Sequence, residues 1–204
     1  MTAESSFRIA FWVLMGLVLC MRFFFISRLR LSGGQIMPDQ AAIHREGRFV
    51  FAFRLLGFFM LVALLGLYAL VPAVIETLSI QSPDWLRWTG FALGLISLVF
   101  WTWVQFALGR QFSAQLRLRA GHHLITTGPY ASVRHPMYAA VSGFAIGLAF
   151  LTANWVFVIL VLLVIVGLIV RVPREEQMMI DSFGEEYQSY MSKTGRFFPK
   201  WLAG

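Results

Sequence analysis

The sequence predicts an all-α integral membrane protein of about five transmembrane helices, the last two a helical hairpin, followed by a cytoplasmic C-terminal helix. Three observations predict it. Hydrophobic residues make up 58% of the 204 residues and charged residues only 13%, with a mean hydropathy of +0.71, far from an average soluble domain. Several stretches are apolar enough to cross a bilayer, which takes about 20 residues of helix. The remaining charges are concentrated in alternate loops. A soluble protein with a large core would need polar helix faces, and several of these segments have none.

The first span is Phe7 to Ser27. A signal peptide would begin with a basic cluster and end at small residues, whereas this segment begins with Glu4 and Arg8 and ends with Arg22 and a run of aromatics. Leu17-Val18-Leu19-Cys20 resembles a lipoprotein box only faintly, because Leu19 is too large for its position, so we read the helix as retained. The single cysteine, Cys20, rules out a disulfide or a cysteine-based metal site within one chain. The second span covers 49–71, ending before Pro72, and the third covers 86–108. The apolar run from Met137 to Val170 is too long for one crossing, and Thr152-Ala153-Asn154 breaks it near the middle. It reads as two shorter helices, 137–152 and 155–170. The chain 1–204 thus forms one membrane domain, with a cytoplasmic loop 109–136 and a tail 171–204.

Orientation follows from the loops. The first carries Arg28, Arg30, Arg45 and Arg48 against Asp39 and Glu46; the second, Pro72 to Trp85, has only Glu76 and Asp84; the third has Arg110, Arg117, Arg119 and Arg134 with no acid. Basic loops stay cytoplasmic, so the N-terminus is expected outside, and the first loop, third loop and tail inside. The net charge of +7 is then a matter of topology and anionic head groups. No basic stripe lies outside the membrane loops, which argues against nucleic acid.

Chemistry gathers in two segments, GRQFSAQLRLRAGHHLITTGPYASVRHPMY and RVPREEQMMIDSFGEEYQSYMSKTGRFFPKW. The hairpin brings them to one membrane face. Pro173 suits a first helical turn with Glu175 and Glu176 favouring its dipole, and Met179, Phe183, Tyr187 and Tyr190 mark an apolar face of the tail. Arg171 and Glu175 share a face if the fifth helix continues through Pro173. Each feature also has a bland role: terminal arginines anchor spans, a Glu-Glu pair caps a helix, and a His beside Pro is often structural. His122-His123 lacks the spacing of a metal site, so no metal is expected. Together, ionisable groups at a membrane face are functional candidates.

GHHLITTGPYASVRHPMY, a hairpin, and then Glu-Glu and Phe-Gly-x-x-Tyr resemble the isoprenylcysteine carboxyl methyltransferase family, including its short prokaryotic-type members, and a wider group with membrane phospholipid methyltransferases. The resemblance covers roughly the C-terminal half. It implies S-adenosylmethionine as cofactor, held by loop and tail, and the sequence has no Gly-x-Gly-x-x-Gly unit that would indicate a Rossmann domain. Position by position it implies cofactor contacts at Gln115, His122, His123, Leu124, Ile125, Tyr130, His135, Pro136, Met137, Tyr138 and Glu175, with Arg171 on the substrate side. Tyr130 and Tyr138 could face the sulfonium, Arg134 could hold a carboxylate, and Glu175 could accept from amino or ribose groups. Arg171, Glu175 and Arg134 are therefore the expected catalytic residues.

The implied acceptor is lipophilic: a small molecule, a lipid or a prenylated substrate, with a carboxylate favoured. A carboxylate needs no base at neutral pH, whereas an amine would need Glu176 or a histidine to take its proton. Phospholipid or amine N-methylation is the alternative within the group. An NADPH-dependent membrane reductase of the sterol-reductase type and a non-enzymatic scaffold are the alternatives outside it. Phe144, Phe150 and Phe157 could line a lateral entrance or simply pack. The expected location is a cell inner membrane, with the site on the cytoplasmic side.

Overall fold

A computed structural model of the protein describes residues 3–31, 48–71, 73, 76–109 and 124–202. Among these, the chain is helical, with no strand longer than an isolated bridge. Helix α1 is Ala3–Leu31, α2 Arg48–Leu70, α3 Asp84–Leu108, α4 Pro136–Thr152, α5 Trp155–Phe183 and α6 Glu185–Lys193; single 3-10 turns lie at Gly128–Ala131 and Lys200–Leu202. Helices α1, α3 and α5 are long and apolar enough to cross a membrane, while α4 and the apolar part of α2, Leu55–Leu70, are shorter.

The helices alternate in direction. At one end Arg87 on α3 grips Glu4 on α1 with both guanidinium nitrogens, at 2.6 and 3.2 Å, donates Nε to the Leu151 carbonyl of α4 at 3.0 Å, and lies 3.8 Å over the Phe7 ring. Arg8 donates to the carbonyl of Tyr68 near the end of α2 at 3.2 Å. The α2–α3 loop is laced to the hairpin turn by Ile80 N to Ala153 O, 2.6 Å, and Trp155 N to Leu78 O, 3.1 Å. The turn itself is tight: Ala153 takes a left-handed φ of 44°, and the Asn154 side chain caps α5 through Val156 N at 3.0 Å, satisfying a helix-end donor.

Aromatic residues fill the centre. Phe11 of α1 is fully buried and meets Tyr68 at 4.3 Å and Phe157 at 5.6 Å between ring centroids. Phe157 and Phe144 thus belong to the core, and only Phe150 is exposed, so the three do not form one entrance wall.

The tightest packing joins α3 to α4 through glycine. A Cβ on Gly90 would fall 2.5 Å from Leu151 N, one on Gly147 2.7 Å from Gly94 N, and one on Gly143 2.5 Å from Ser97 Oγ. Gly90-x-x-x-Gly94 and Gly143-x-x-x-Gly147 therefore face each other. Small residues at this spacing let helix backbones touch, which gives van der Waals attraction where lipid offers no hydrophobic drive.

The tail departs from the expected helix. Pro173 lies inside α5, which runs unbroken to Phe183, and the break comes at Gly184, with φ 53° and its N–H bonded to Ile180 O at 2.8 Å. A proline inside a helix costs about 3 kcal/mol; here the flanking turn is anchored because Val172 and Glu176 are both buried. The expected apolar face is split accordingly, with Tyr187 and Tyr190 buried on the separate helix α6.

Candidate active site

The loop before α4 and the tail after α6 are stitched together by backbone. The turn Gly128–Ala131 rests on the end of α3, where a Cβ on Gly128 would touch Ala107 at 3.8 Å. The next residues run parallel to the tail: Gly195 N bonds Ser132 O at 3.1 Å, Arg134 N bonds Gly195 O at 2.9 Å, and His135 N bonds Arg196 O at 3.0 Å. Only glycine fits at 195, since a Cβ would lie 1.7 Å from Phe198 O. Tyr190 of α6 adds a hydroxyl donated to Tyr130 O at 2.6 Å. Burial pushes its phenol up to about 12, so at neutral pH it is a donor.

Glu176 is the charged centre of this joint. It is 4% exposed and accepts from Arg134 Nε at 3.0 Å and from Arg196 Nε at 3.3 Å and Nη2 at 2.6 Å, with His135 Nε2 at 3.3 Å. Arg134 also donates Nη1 to the carbonyls of Met191, at 3.1 Å, and Thr194, so its planar fork joins α5 to the end of α6. Glu176 lies beyond the apolar stretch that ends at Val170. Burial alone would raise its pKa, but the hydrogen bonds of His135, Arg196 and Arg134 outweigh burial and hold the carboxyl well below the usual carboxylate range.

The neighbouring carboxylate does something different. Glu175 Oε2 accepts from the Tyr138 hydroxyl and pairs with Arg171 Nε at 3.7 Å, one turn earlier on α5. Its side chain is 29% exposed against 5% for Glu176. The Tyr138 ring stacks parallel to His135, 5.4 Å between centroids and 2° between planes. Burial first, then the Glu175 charge, raises the Tyr130 phenol far above its ordinary value, leaving it neutral beside that carboxylate. Two adjacent glutamates thus separate into one sealed in ion pairs and one partly exposed.

Of the residues expected at the site, Arg134, His135, Tyr138, Arg171 and Glu175 come together. Pro136 is buried at the first turn of α4 beside them, Met137 and Tyr130 are half-buried, and Leu124 and Ile125 are half-buried on the chain entering the turn. Gln115, His122 and His123 lie outside the described residues. Arg196 is the contributor that sequence reasoning missed. Its only signal in the sequence is Thr194-Gly195-Arg196, a glycine followed by a cation just after the tail helix. Among the described residues no three His, Cys, Asp or Glu side chains converge in a metal-binding group.

A helical bundle with membrane-length apolar helices, closed at one end by a loop and tail that share a polar cluster, defines the class: an integral membrane protein with a polar site at one end of its bundle. Residues 85–186 match the phospholipid methyltransferase family. The chain belongs to that family. It is 35% identical over 79 residues to protein-S-isoprenylcysteine O-methyltransferase of Schizosaccharomyces pombe, covering 38% of this chain and 34% of that protein; the match spans about a third of the relative. Its fold is similar to that of the eukaryotic intramembrane Ras methyltransferase ICMT (isoprenylcysteine carboxyl methyltransferase), with a TM-score of 0.64 at 19% identity, over 98% of this chain and 68% of that one. The resemblance drawn from the loop and tail is thereby met in sequence and in fold.

Proposed function

We propose that the protein transfers a methyl group from S-adenosylmethionine to the carboxylate of a lipophilic acceptor at the cytoplasmic face of a prokaryotic inner membrane. The observation that carries this reading is the split between Glu175 and Glu176.

The donor set suits the cofactor. Glu175 Oε1 makes no hydrogen bond among the described residues, so it is open to an ammonium or ribose hydroxyl, with the rings of Tyr138 and Tyr130 nearby to attract a sulfonium. Pro136, Met137, Leu124 and Ile125 supply apolar walls, and Gln115, His122 and His123 belong to the same sequence segment. Bound S-adenosylmethionine would supply an activated methyl group. Tyr138 and Arg171 hold the Glu175 carboxylate in place. Arg171, 11% exposed at the apolar boundary, presents a guanidinium that can fork onto an acceptor carboxylate. Arg134 acts as a positioning residue, since its Nε and Nη1 donors are committed to Glu176 and the tail.

An acceptor carboxylate, with a pKa near ~3.5, is ionised at neutral pH and needs only alignment. An ammonium acceptor must lose a proton, and Glu176 is a poor base for it because its pKa is depressed by three hydrogen-bonding partners. This favours oxygen over nitrogen as the atom methylated.

The experiment is transfer of labelled methyl from S-adenosylmethionine into membrane lipid and small-molecule extracts by the detergent-purified protein. Base-labile label marks a methyl ester. Base-stable label would refute the carboxylate, and binding of NADPH in place of S-adenosylhomocysteine would refute the methyltransferase. A reporter after Gly204 should read cytoplasmic and one near Gln81 external.

A further inference from the structure

Between α1 and α3 lies an apolar slot of about 330 Å³. Buried Met21 and Leu98 form its floor, and Leu17, Phe24, Val99 and Phe106, all exposed, form its rims. Thr102, the polar member of the lining, donates its hydroxyl to Leu98 O at 2.8 Å, so nothing along the slot asks for a polar partner. The α3 wall runs from Leu95 to Phe106, which at 1.5 Å per residue is about 16 Å. That is about half of the roughly 30 Å hydrocarbon core of a bilayer, the depth of a single leaflet.

One end of the slot carries a cation. Arg28 lies one turn beyond Phe24, with its guanidinium 5.8 Å from the centre of the Phe106 ring, and Phe24 and Phe25 stand 6.1 and 5.0 Å from the same ring. Positions 17, 21, 24 and 28 share one stripe of α1 at 3.6 residues per turn, whereas position 30 falls on the opposite side. Among the described residues Arg28 meets no carboxylate, in contrast to Arg87 at the other end of the bundle, which is paired with Glu4. Ala107, the residue after Phe106, is the one against which the Gly128 turn rests, so the cation stands at the same end as the polar site.

We propose that this slot holds an acyl chain of an anionic phospholipid, with Arg28 on the lipid phosphate. An arginine fork suits phosphate oxygens, and basic side chains at a membrane surface favour anionic lipid. A neutral hydrocarbon would fill the slot but leave the guanidinium without a counter-charge, and a zwitterionic lipid brings its own ammonium to compete for the phosphate. A second copy of the chain docked here about a twofold axis along the membrane normal would set Arg28 against its own image. Tyr138, Glu175 and Arg171 are not among the residues that line the slot, so the assignment stands whichever atom is methylated.

The test is native mass spectrometry of the full-length protein released from detergent micelles that contain equimolar phosphatidylglycerol and phosphatidylcholine with the same acyl chains. The wild type should retain phosphatidylglycerol in about fivefold excess. Arg28→Gln should abolish that excess and Arg28→Lys should keep most of it. Arg30→Gln, which removes an exposed cation from the opposite side of α1, should leave it intact. Val99→Trp, which fills the slot from its rim, should lower retention of both lipids. Thermal midpoints in phosphatidylcholine establish that each variant is folded. Equal loss in Arg28→Gln and Arg30→Gln would reduce the effect to general surface charge and overturn the site, as would a wild type with no excess. Release of the bound lipid by an equimolar lipophilic acid such as palmitate would give the slot to a carboxylic acid and overturn the proposal as well.

Discussion

Arg134 Nε donates to Glu176 Oε1 at 3.0 Å across 42 residues of sequence, and both side chains are almost fully enclosed. The pair ties the start of α4 to the far part of α5, so the geometry of every group between them depends on it. Removing one member of a buried pair strands the other charge and typically costs about 3–5 kcal/mol. Glu176→Gln should therefore lower the thermal midpoint clearly. Arg134→Lys should do nearly the same, because a single ammonium cannot reach Glu176, Met191 O and Thr194 O together. Thermal unfolding of the detergent-solubilised variants checks both, and a lysine variant as stable as wild type would contradict the clamp.

Acid should loosen the same joint. The folded-state pKa of Glu176 is depressed, so its contribution is fully present above the unfolded value of about 4.3 and is lost as pH falls through the folded value. The midpoint of the wild type should drop as pH is lowered from about 5 towards 3, and the slope should be shallower in Glu176→Gln. Equal slopes would show that other carboxylates dominate.

Glu175 and Arg171 should separate kinetically. Glu175→Gln is expected to weaken S-adenosylhomocysteine binding by roughly tenfold to a hundredfold, the worth of a charge-assisted hydrogen bond. Arg171→Ala should raise the acceptor KM while changing cofactor affinity only about threefold. Calorimetry and initial rates distinguish these, and the reverse pattern would exchange the two roles.

The α3–α4 seam predicts a contrast among glycines. Gly147→Ala puts a methyl group 2.7 Å from Gly94 N and 2.8 Å from Gly90 O, forcing the helices apart at a cost of about 1–3 kcal/mol. Gly66→Ala meets nothing within 4 Å and should be neutral or gain up to about 1 kcal/mol of helix propensity. Thermal midpoints moving together in the two variants would argue against a backbone-contact seam.

Much of this architecture was legible in the chain. Apolar runs and alternate basic loops indicated the helices, and Thr152-Ala153-Asn154 marked the hairpin because a short polar break in a long apolar run has few other meanings. Arg134-His135-Pro136 and Glu175 pointed to the site through their residue types. What was illegible depends on contacts distant in sequence. Nothing in local periodicity shows that Arg196 returns to Glu176, or that Ser132 to His135 lies beside Gly195 and Arg196. Pro173 misled because a proline at a polarity boundary normally starts a helix, and only the buried turn around it keeps α5 continuous. The facing glycine pairs were visible as spacing but could not be assigned to each other until the register was known.

The pairing of Ser132 and Arg134 with Gly195 also orders the site in time. During synthesis the chain that forms one edge emerges some sixty residues before the chain that completes it, as the Arg134–Thr194 contact measures. Helices α1 to α5 can be in place before the joint exists. A chain cut after Lys193 would keep its helices but leave Arg134 without the Thr194 carbonyl and Glu176 without Arg196, so the finished site depends on the few residues that follow α6.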